Sequence, residues 1–168
     1  MPHGPTGEPP EALPILHRET VQPDWVDYNG HMNLAYYVLV FDHATDALLD
    51  RVGLGAAYRE ATGGSVFVAE AHVIYRSEVL AGEDLRVASR VVDVDEKRLR
   101  LFHEMTAGDD RRPAAGIELM ILHVDLASRR TRPFPAAPLE RLRELRAAQA
   151  ALPLPREVGR GISMAKKR

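Results

Sequence analysis

Asp27-Tyr28-Asn29-Gly30-His31-Met32-Asn33 sets a carboxylate, an amide and an imidazole at alternate positions around a glycine, directly ahead of a long helix-forming run. A carboxylate can act as a general base on water or attack an acyl carbon itself, and an imidazole titrates near neutral pH. The first turn of a helix leaves backbone N–H groups without intrahelical partners, and such donors stabilise a developing oxyanion. Asp27 is therefore the candidate base or nucleophile. Asn29 can hold the water or the carbonyl, and His31 can orient a carboxylate or relay protons. Gly30 admits close approach of backbone, and the amides around Met32, Asn33 and Leu34 can donate to an acyl oxygen. Together these groups suit hydrolysis of an acyl group. Taken alone, Asp-x-Asn-Gly is also what an ordinary turn is made of, so the case depends on the elements around it.

Those elements follow from periodicity. A short strand is expected from Ile15 to Val21, ended by Pro23. From Asn33 to Val52, Leu34, Val38, Phe41, Thr45, Leu48 and Val52 recur at helical spacing, with Tyr37, Ala44 and Leu49 widening the stripe. Asn33 is a suitable N-cap and Gly53 a suitable C-cap. The first half of this helix is apolar nearly all round, which predicts a buried start and a wetter end. After Gly63-Gly64 the period changes to two: Phe67, Ala69, Ala71, Val73 and Tyr75 fall on one face, and Val66, Val68, Glu70, His72, Ile74 and Arg76 on the other. Further strands are expected at 84–94, 98–106 and 115–126, the last apolar on both faces, and a short amphipathic helix over 138–152. One long helix covers only one face of such a sheet, so self-association is expected to cover the other.

Composition narrows the function classes. A chain of 168 residues with 45% apolar content supports one core, and its 22 basic residues balance 24 acidic ones without a duplex-binding stripe, so no nucleic-acid partner is expected. With no cysteine, thiolate metal sites, disulfides and cysteine nucleophiles are excluded. No apolar run reaches the length of a membrane span and the N-terminus has no secretory pattern, which reads most simply as a soluble cytoplasmic protein. Glu70-x-His72 on one strand face could bind a metal or reach the site, but two residues alternating on a strand more often make a solvated or interfacial pair, and no three-ligand spacing appears; no metal or cofactor is expected. His103 and His123 lie on apolar strand faces and read as hydrogen-bonded interior histidines. The division expected is a flexible tail over 1–13, a catalytic domain over 14–148 and a C-terminal extension over 149–168.

The Asp27–Asn33 segment, Tyr36-Tyr37, the long helix and Tyr75-Arg76-Ser77-Glu78 with the following Gly82-Glu83-Asp84-Leu85 resemble the 4-hydroxybenzoyl-CoA thioesterase-like group. The resemblance spans residues 15 to 148. It implies an α+β hotdog fold, in which a curved antiparallel sheet wraps one long central helix. It also implies an acyl-CoA substrate and a homodimer or homotetramer with sites at subunit interfaces. The Asp-x-Asn-x-His spacing is similar to the catalytic residues of plant acyl-ACP thioesterases, which implies catalytic roles for Asp27, Asn29 and His31. The Glu of a Tyr-Arg-x-Glu segment falls on Glu78, at a longer interval than in those enzymes.

A narrower resemblance is to the thioesterases encoded beside, or fused to, carnitine dehydrogenase, which cleave betainyl-CoA. It is carried by Trp25–Met32, Ala44–Leu48, Asp95–Leu99, Phe102-His103, Leu122–Asp125, Leu152-Pro153-x-Pro155 and Gly159-Arg160-x-Ile162. It implies a trimethylammonium acyl group. Trp25, Tyr28 and Tyr36, with Tyr37, Phe67 and Tyr75, lie in segments that would border the pocket, where two or three rings could cage that cation. For the CoA nucleotide, Arg76, Lys97, Arg98 and Arg100 are available. The same fold also supports dehydratases of enoyl or hydroxyacyl thioesters and non-catalytic acyl-thioester binding modules; the Asp27 loop favours hydrolysis over both.

Overall fold

A computed structural model describes residues 15–164; the expected N-terminal tail lies outside them. Strand β1 (Ile15–Thr20) leads through a turn of 3-10 helix (Pro23–Trp25) and the Asp27 loop into helix α1 (Leu34–Val52). A short helix α2 (Ala56–Thr62) precedes β2 (Gly64–Tyr75), β3 (Asp84–Val94), β4 (Arg98–Ala107), β5 (Arg112–Asp125) and the two-residue β6 (Arg130–Thr131). Helix α3 (Ala136–Ala148) follows. The strands form one antiparallel sheet in the order β1-β3-β4-β5-β2, with β6 on β5.

Helix α1 begins and ends where its caps dictate. The Asn33 side chain accepts the Ala35 N–H at 3.0 Å, and Gly53 takes a left-handed φ of 83° that residues with a Cβ avoid. Its buried stripe is Tyr37, Val40, Phe41, Ala44, Thr45, Leu48, Leu49 and Val52, spaced three and four apart. These residues pack on the inward residues of the sheet, among them Leu85, Val87, Leu99, Leu101, Met105, Ile117 and Ile121. The expected buried start is corrected: Leu34, Val38 and Leu39 are exposed, because no element among the described residues covers the side of the first two turns away from Tyr37, Val40 and Phe41.

The faces of β2 also differ from simple alternation. A bulge between Val68 and Glu70 inserts Ala69 into the ladder with β5, and an inserted residue reverses the in–out pattern beyond it. Val66 and Val73, of opposite parity, therefore both pack on the core, while Phe67 lies under the Arg129 guanidinium.

The two interior histidines are buried as expected. His103 lies between Ser89 Oγ at 2.7 Å and Thr45 Oγ1 at 3.0 Å. His123 lies between Tyr58 Oη and the Arg132 carbonyl, each at 2.9 Å.

The C-terminal segment is bound to the sheet. Where β1 starts, the β3 edge from Ser89 to Val91 would be left unpaired; the buried Gln149 side chain accepts the Val91 N–H at 2.9 Å and donates to the Ser89 carbonyl at 3.2 Å. Arg90 donates to the carbonyls of Gln149, Leu152 and Pro153, and Arg76 pairs with Glu157 at 3.1 Å. Gly159 N–H donates to Glu118 at 2.7 Å.

Candidate active site

The heptapeptide is a closed turn. Asp27 N–H donates to the His31 carbonyl and Gly30 N–H to the Asp27 carbonyl, and Gly30 holds φ at 86°. Asp27 Oδ1 accepts the Asn29 N–H at 2.8 Å, and Oδ2 accepts the Asn33 side-chain amide at 3.4 Å. One asparagine thus caps α1 with its oxygen and steers the Asp27 carboxylate with its nitrogen.

The far wall comes from the end of β2 and the link to β3. Arg76 and Ser77 N–H groups both donate to the Ala114 carbonyl, and Ser77 Oγ donates to the Pro113 carbonyl. Arg112 grips both Glu83 carboxylate oxygens at 2.7 and 2.6 Å and the Glu78 carbonyl at 3.1 Å. These hydrogen bonds from Arg112 hold the Glu83 carboxyl below the usual carboxylate range. Glu83 in turn accepts the Leu80 N–H. Anchored this way, the Glu78 side chain reaches His31, with Oε2 3.7 Å from Nε2, while remaining 71% exposed.

Between loop and wall is a cleft of about 400 Å³, lined by Asp27, Asn29, His31, Met32, Leu34, Tyr37, Tyr75, Arg76, Ser77 and Glu78. All four residues expected to be catalytic line it. Tyr37 donates to the Ser77 carbonyl at 3.1 Å and Tyr75 to the Leu34 carbonyl at 3.3 Å; the two rings meet edge to face, 5.2 Å apart. Burial raises both phenol pKa values, so the rings stay neutral across the physiological range.

Two expectations need correction. The Met32 N–H is spent on the Val79 carbonyl at 2.7 Å, and the Asn33 N–H on the Trp25 carbonyl at 2.9 Å, because the loop must pair its backbone to close. Ala35 N–H takes the Asn33 cap and Tyr36 N–H the Asn33 carbonyl, which leaves the Leu34 N–H as the open donor of the first turn. The rings differ as well: Trp25 and Tyr36 stack on each other at 5.2 Å, outside the lining, and Tyr28 is 97% exposed. Tyr37 and Tyr75 are the cleft aromatics.

The other candidates lie elsewhere. Glu70 and His72 line a separate cavity of about 330 Å³ with Arg100, Glu118 and Gly159–Gly161. Of the basic residues considered for CoA, Arg98 is paired with Asp95, Arg100 with Glu118, and Arg76 with Glu157 and Glu104. Arg112, which secures the Glu78 segment, carried no signal in the sequence beyond an Arg-Arg pair before a strand.

A curved antiparallel sheet around a central helix, with an acid–amide–imidazole loop at that helix's N-terminus, defines the class of hotdog thioesterases. The chain belongs to the thioesterase-like superfamily, which it matches over residues 21–143. It is 41% identical over 144 residues to the betainyl-CoA thioesterase of Pseudomonas aeruginosa, covering 86% of this chain and 91% of that protein. It is 44% identical over 147 residues to an L-carnitine dehydrogenase/betainyl-CoA thioesterase of Agrobacterium fabrum, covering 88% of this chain and 30% of that longer protein. Among solved structures, a Staphylococcus aureus hypothetical protein in complex with CoA superposes with a TM-score of 0.85 at 27% identity, covering 91% of this chain and 97% of that one. No helix among the described residues is long and apolar enough to cross a membrane.

Proposed function

We propose that the protein is an acyl-CoA thioesterase whose acyl substrate is the betainyl group, with Asp27 as its essential carboxylate. The observation that carries the reading is the convergence of Asp27, Asn29, His31 and Glu78 on one cleft at the start of α1. In the reaction the acyl C–S bond breaks, water's hydroxyl goes to the acyl carbon, and its proton goes to the departing thiolate. Asp27, held by the Asn29 and Asn33 amides, takes that proton or attacks the carbonyl first to give an anhydride that water opens. Oxygen-18 transferred from solvent into Asp27 in a single turnover marks the second route with water opening the anhydride at the Asp27 carboxyl carbon, the acid product then carrying an Asp27 oxygen.

The open Leu34 N–H, at the positive end of the α1 dipole, is the oxyanion donor. His31, close to Glu78, positions the water or returns the proton to sulfur. The cationic acyl end is recognised by the Asp27 and Glu78 carboxylates and by the faces of Tyr37 and Tyr75.

Beside the cleft runs β2, a twelve-residue strand at the edge of the sheet where Phe67, Val68 and Tyr75 are exposed. An apolar edge of this length, unpaired among the described residues, pairs with another chain, so the working unit is a homo-oligomer in which a second copy closes the cleft.

The test is CoA release from betainyl-CoA and from its neutral isostere 3,3-dimethylbutanoyl-CoA. Cation recognition predicts roughly a tenfold or greater preference in kcat/KM for betainyl-CoA. Equal rates would overturn the betainyl assignment and leave the hydrolase. Asp27→Asn keeps the acceptor for Asn29 N–H and removes the charge; turnover should fall about 10³-fold, or about 4 kcal/mol in barrier, with the fold intact. Turnover within about threefold of wild type would overturn the mechanism.

A further inference from the structure

On the side of α1 away from its buried stripe, His17 and Glu19 of β1 meet His43 of α1. Glu19 Oε2 lies 2.7 Å from His17 Nε2 and 2.9 Å from His43 Nδ1, and the three donor atoms all fall within 4.8 Å of one another. The two imidazole rings stand edge to face with centroids 5.4 Å apart, and one nitrogen of each lies within hydrogen-bond distance of the same Glu19 oxygen. The side chains are 23%, 23% and 38% exposed, which shields the cluster on the protein side and leaves one side open to water.

We infer that His17 Nε2, Glu19 Oε2 and His43 Nδ1 form a zinc-type divalent metal site that clips β1 to α1. Two imidazoles and a carboxylate are a borderline donor set that suits zinc and disfavours magnesium and calcium. At metal–ligand distances of about 2.0–2.2 Å, tetrahedral donors are about 3.3 Å apart, so a shift of about half an ångström by Glu19 makes room for the ion and water takes the fourth position. One further observation agrees: Asp42 and Asp46, next to His43 and one turn beyond it, add negative charge on the same helix. None of the three residues lines the Asp27 cleft, which makes the role structural: the ion would tie the first strand of the sheet, an edge strand, to the central helix.

The experiment uses the full chain without a polyhistidine tag, stripped with EDTA and titrated with zinc against a chromogenic chelator. One zinc per chain should bind with micromolar or tighter affinity, and zinc should raise Tm. His43→Ala and Glu19→Gln should each weaken binding by ~100-fold or more and abolish the Tm rise, while His72→Ala leaves both unchanged. Cobalt should give the visible absorption of a tetrahedral N/O site in the wild type and in His72→Ala alone. His17→Gln, on the edge strand β1 and not in the central helix, repeats the test should His43→Ala fail to fold. Zinc uptake by the wild type no greater than by the Glu19→Gln and His17→Gln variants would overturn the site.

Discussion

His103 makes the fold acid-labile by an amount that follows from its surroundings. Thr45 Oγ1 donates its proton to the Phe41 carbonyl at 2.9 Å, so the contact with His103 Nε2 requires the imidazole to donate there and to accept the Ser89 hydroxyl at Nδ1. That is the neutral tautomer. Complete burial pushes the imidazole from 6.5 down to about 3. In the unfolded chain it takes up a proton near its ordinary pKa, whereas in the folded chain it does not until the pH approaches the lower value. Stability is therefore present above the unfolded pKa and is lost as pH falls between the two. The linkage relation gives a loss of about 2 kcal/mol between about pH 7.5 and about pH 5, at a limiting slope of about 1.4 kcal/mol per pH unit. Carboxylates titrate in the same range, so the assay compares urea unfolding of the wild type with His103→Gln at both pH values. The variant is less stable at neutral pH, and its deficit should shrink by about 2 kcal/mol at the lower pH. Parallel pH profiles would refute the reasoning, since they would mean that His103 contributes no proton linkage.

Arg112→Ala removes the clamp on Glu83 and the bond to the Glu78 carbonyl, and should cost about 1–2 kcal/mol in urea unfolding and lower kcat more than it alters KM. An unchanged kcat would separate the Glu78 segment from the chemistry. Gly30→Ala meets no atom within 4 Å of the added Cβ, so only its φ of 86° is strained and the loss should be about 1 kcal/mol; a loss above about 3 kcal/mol would show that the Cβ is crowded after all. Gln149→Leu leaves the Val91 N–H and the Ser89 carbonyl buried without partners and should cost about 2–4 kcal/mol, read from the same unfolding curves.

Local chemistry made much of this protein readable from its sequence. Asn33 and Gly53 bound α1 because a side-chain oxygen caps free amides and a missing Cβ permits positive φ; both are properties of single residues. The strands from Asp84 to Asp125 followed from apolar patterning between turn residues, the last of them apolar on both faces, and Asp27, Asn29 and His31 were close in space because they are close in sequence. Glu78, far along the chain, could be proposed only by resemblance. The fold brings it to His31, and Arg112 from β5 fixes the segment that carries it.

What the sequence left open depends on contacts between distant residues. Alternation put Val66 and Val73 on opposite faces, and the bulge at Ala69 joined them. Helical spacing marked the α1 amides as oxyanion donors, but pairing across the loop consumes those of Met32 and Asn33, and only that pairing singles out Leu34. Of six aromatic residues in suitable segments, packing chose Tyr37 and Tyr75 for the cleft. No spacing suggested a three-ligand cluster, because His17 and Glu19 on a strand acquire their third partner, His43, only when β1 lies against α1. The sequence alone determines where elements start, stop and carry reactive groups, since those depend on neighbours a few bonds away. Which groups face one another is decided when the sheet closes on the helix, since burial and hydrogen-bond completion are satisfied over the whole fold at once.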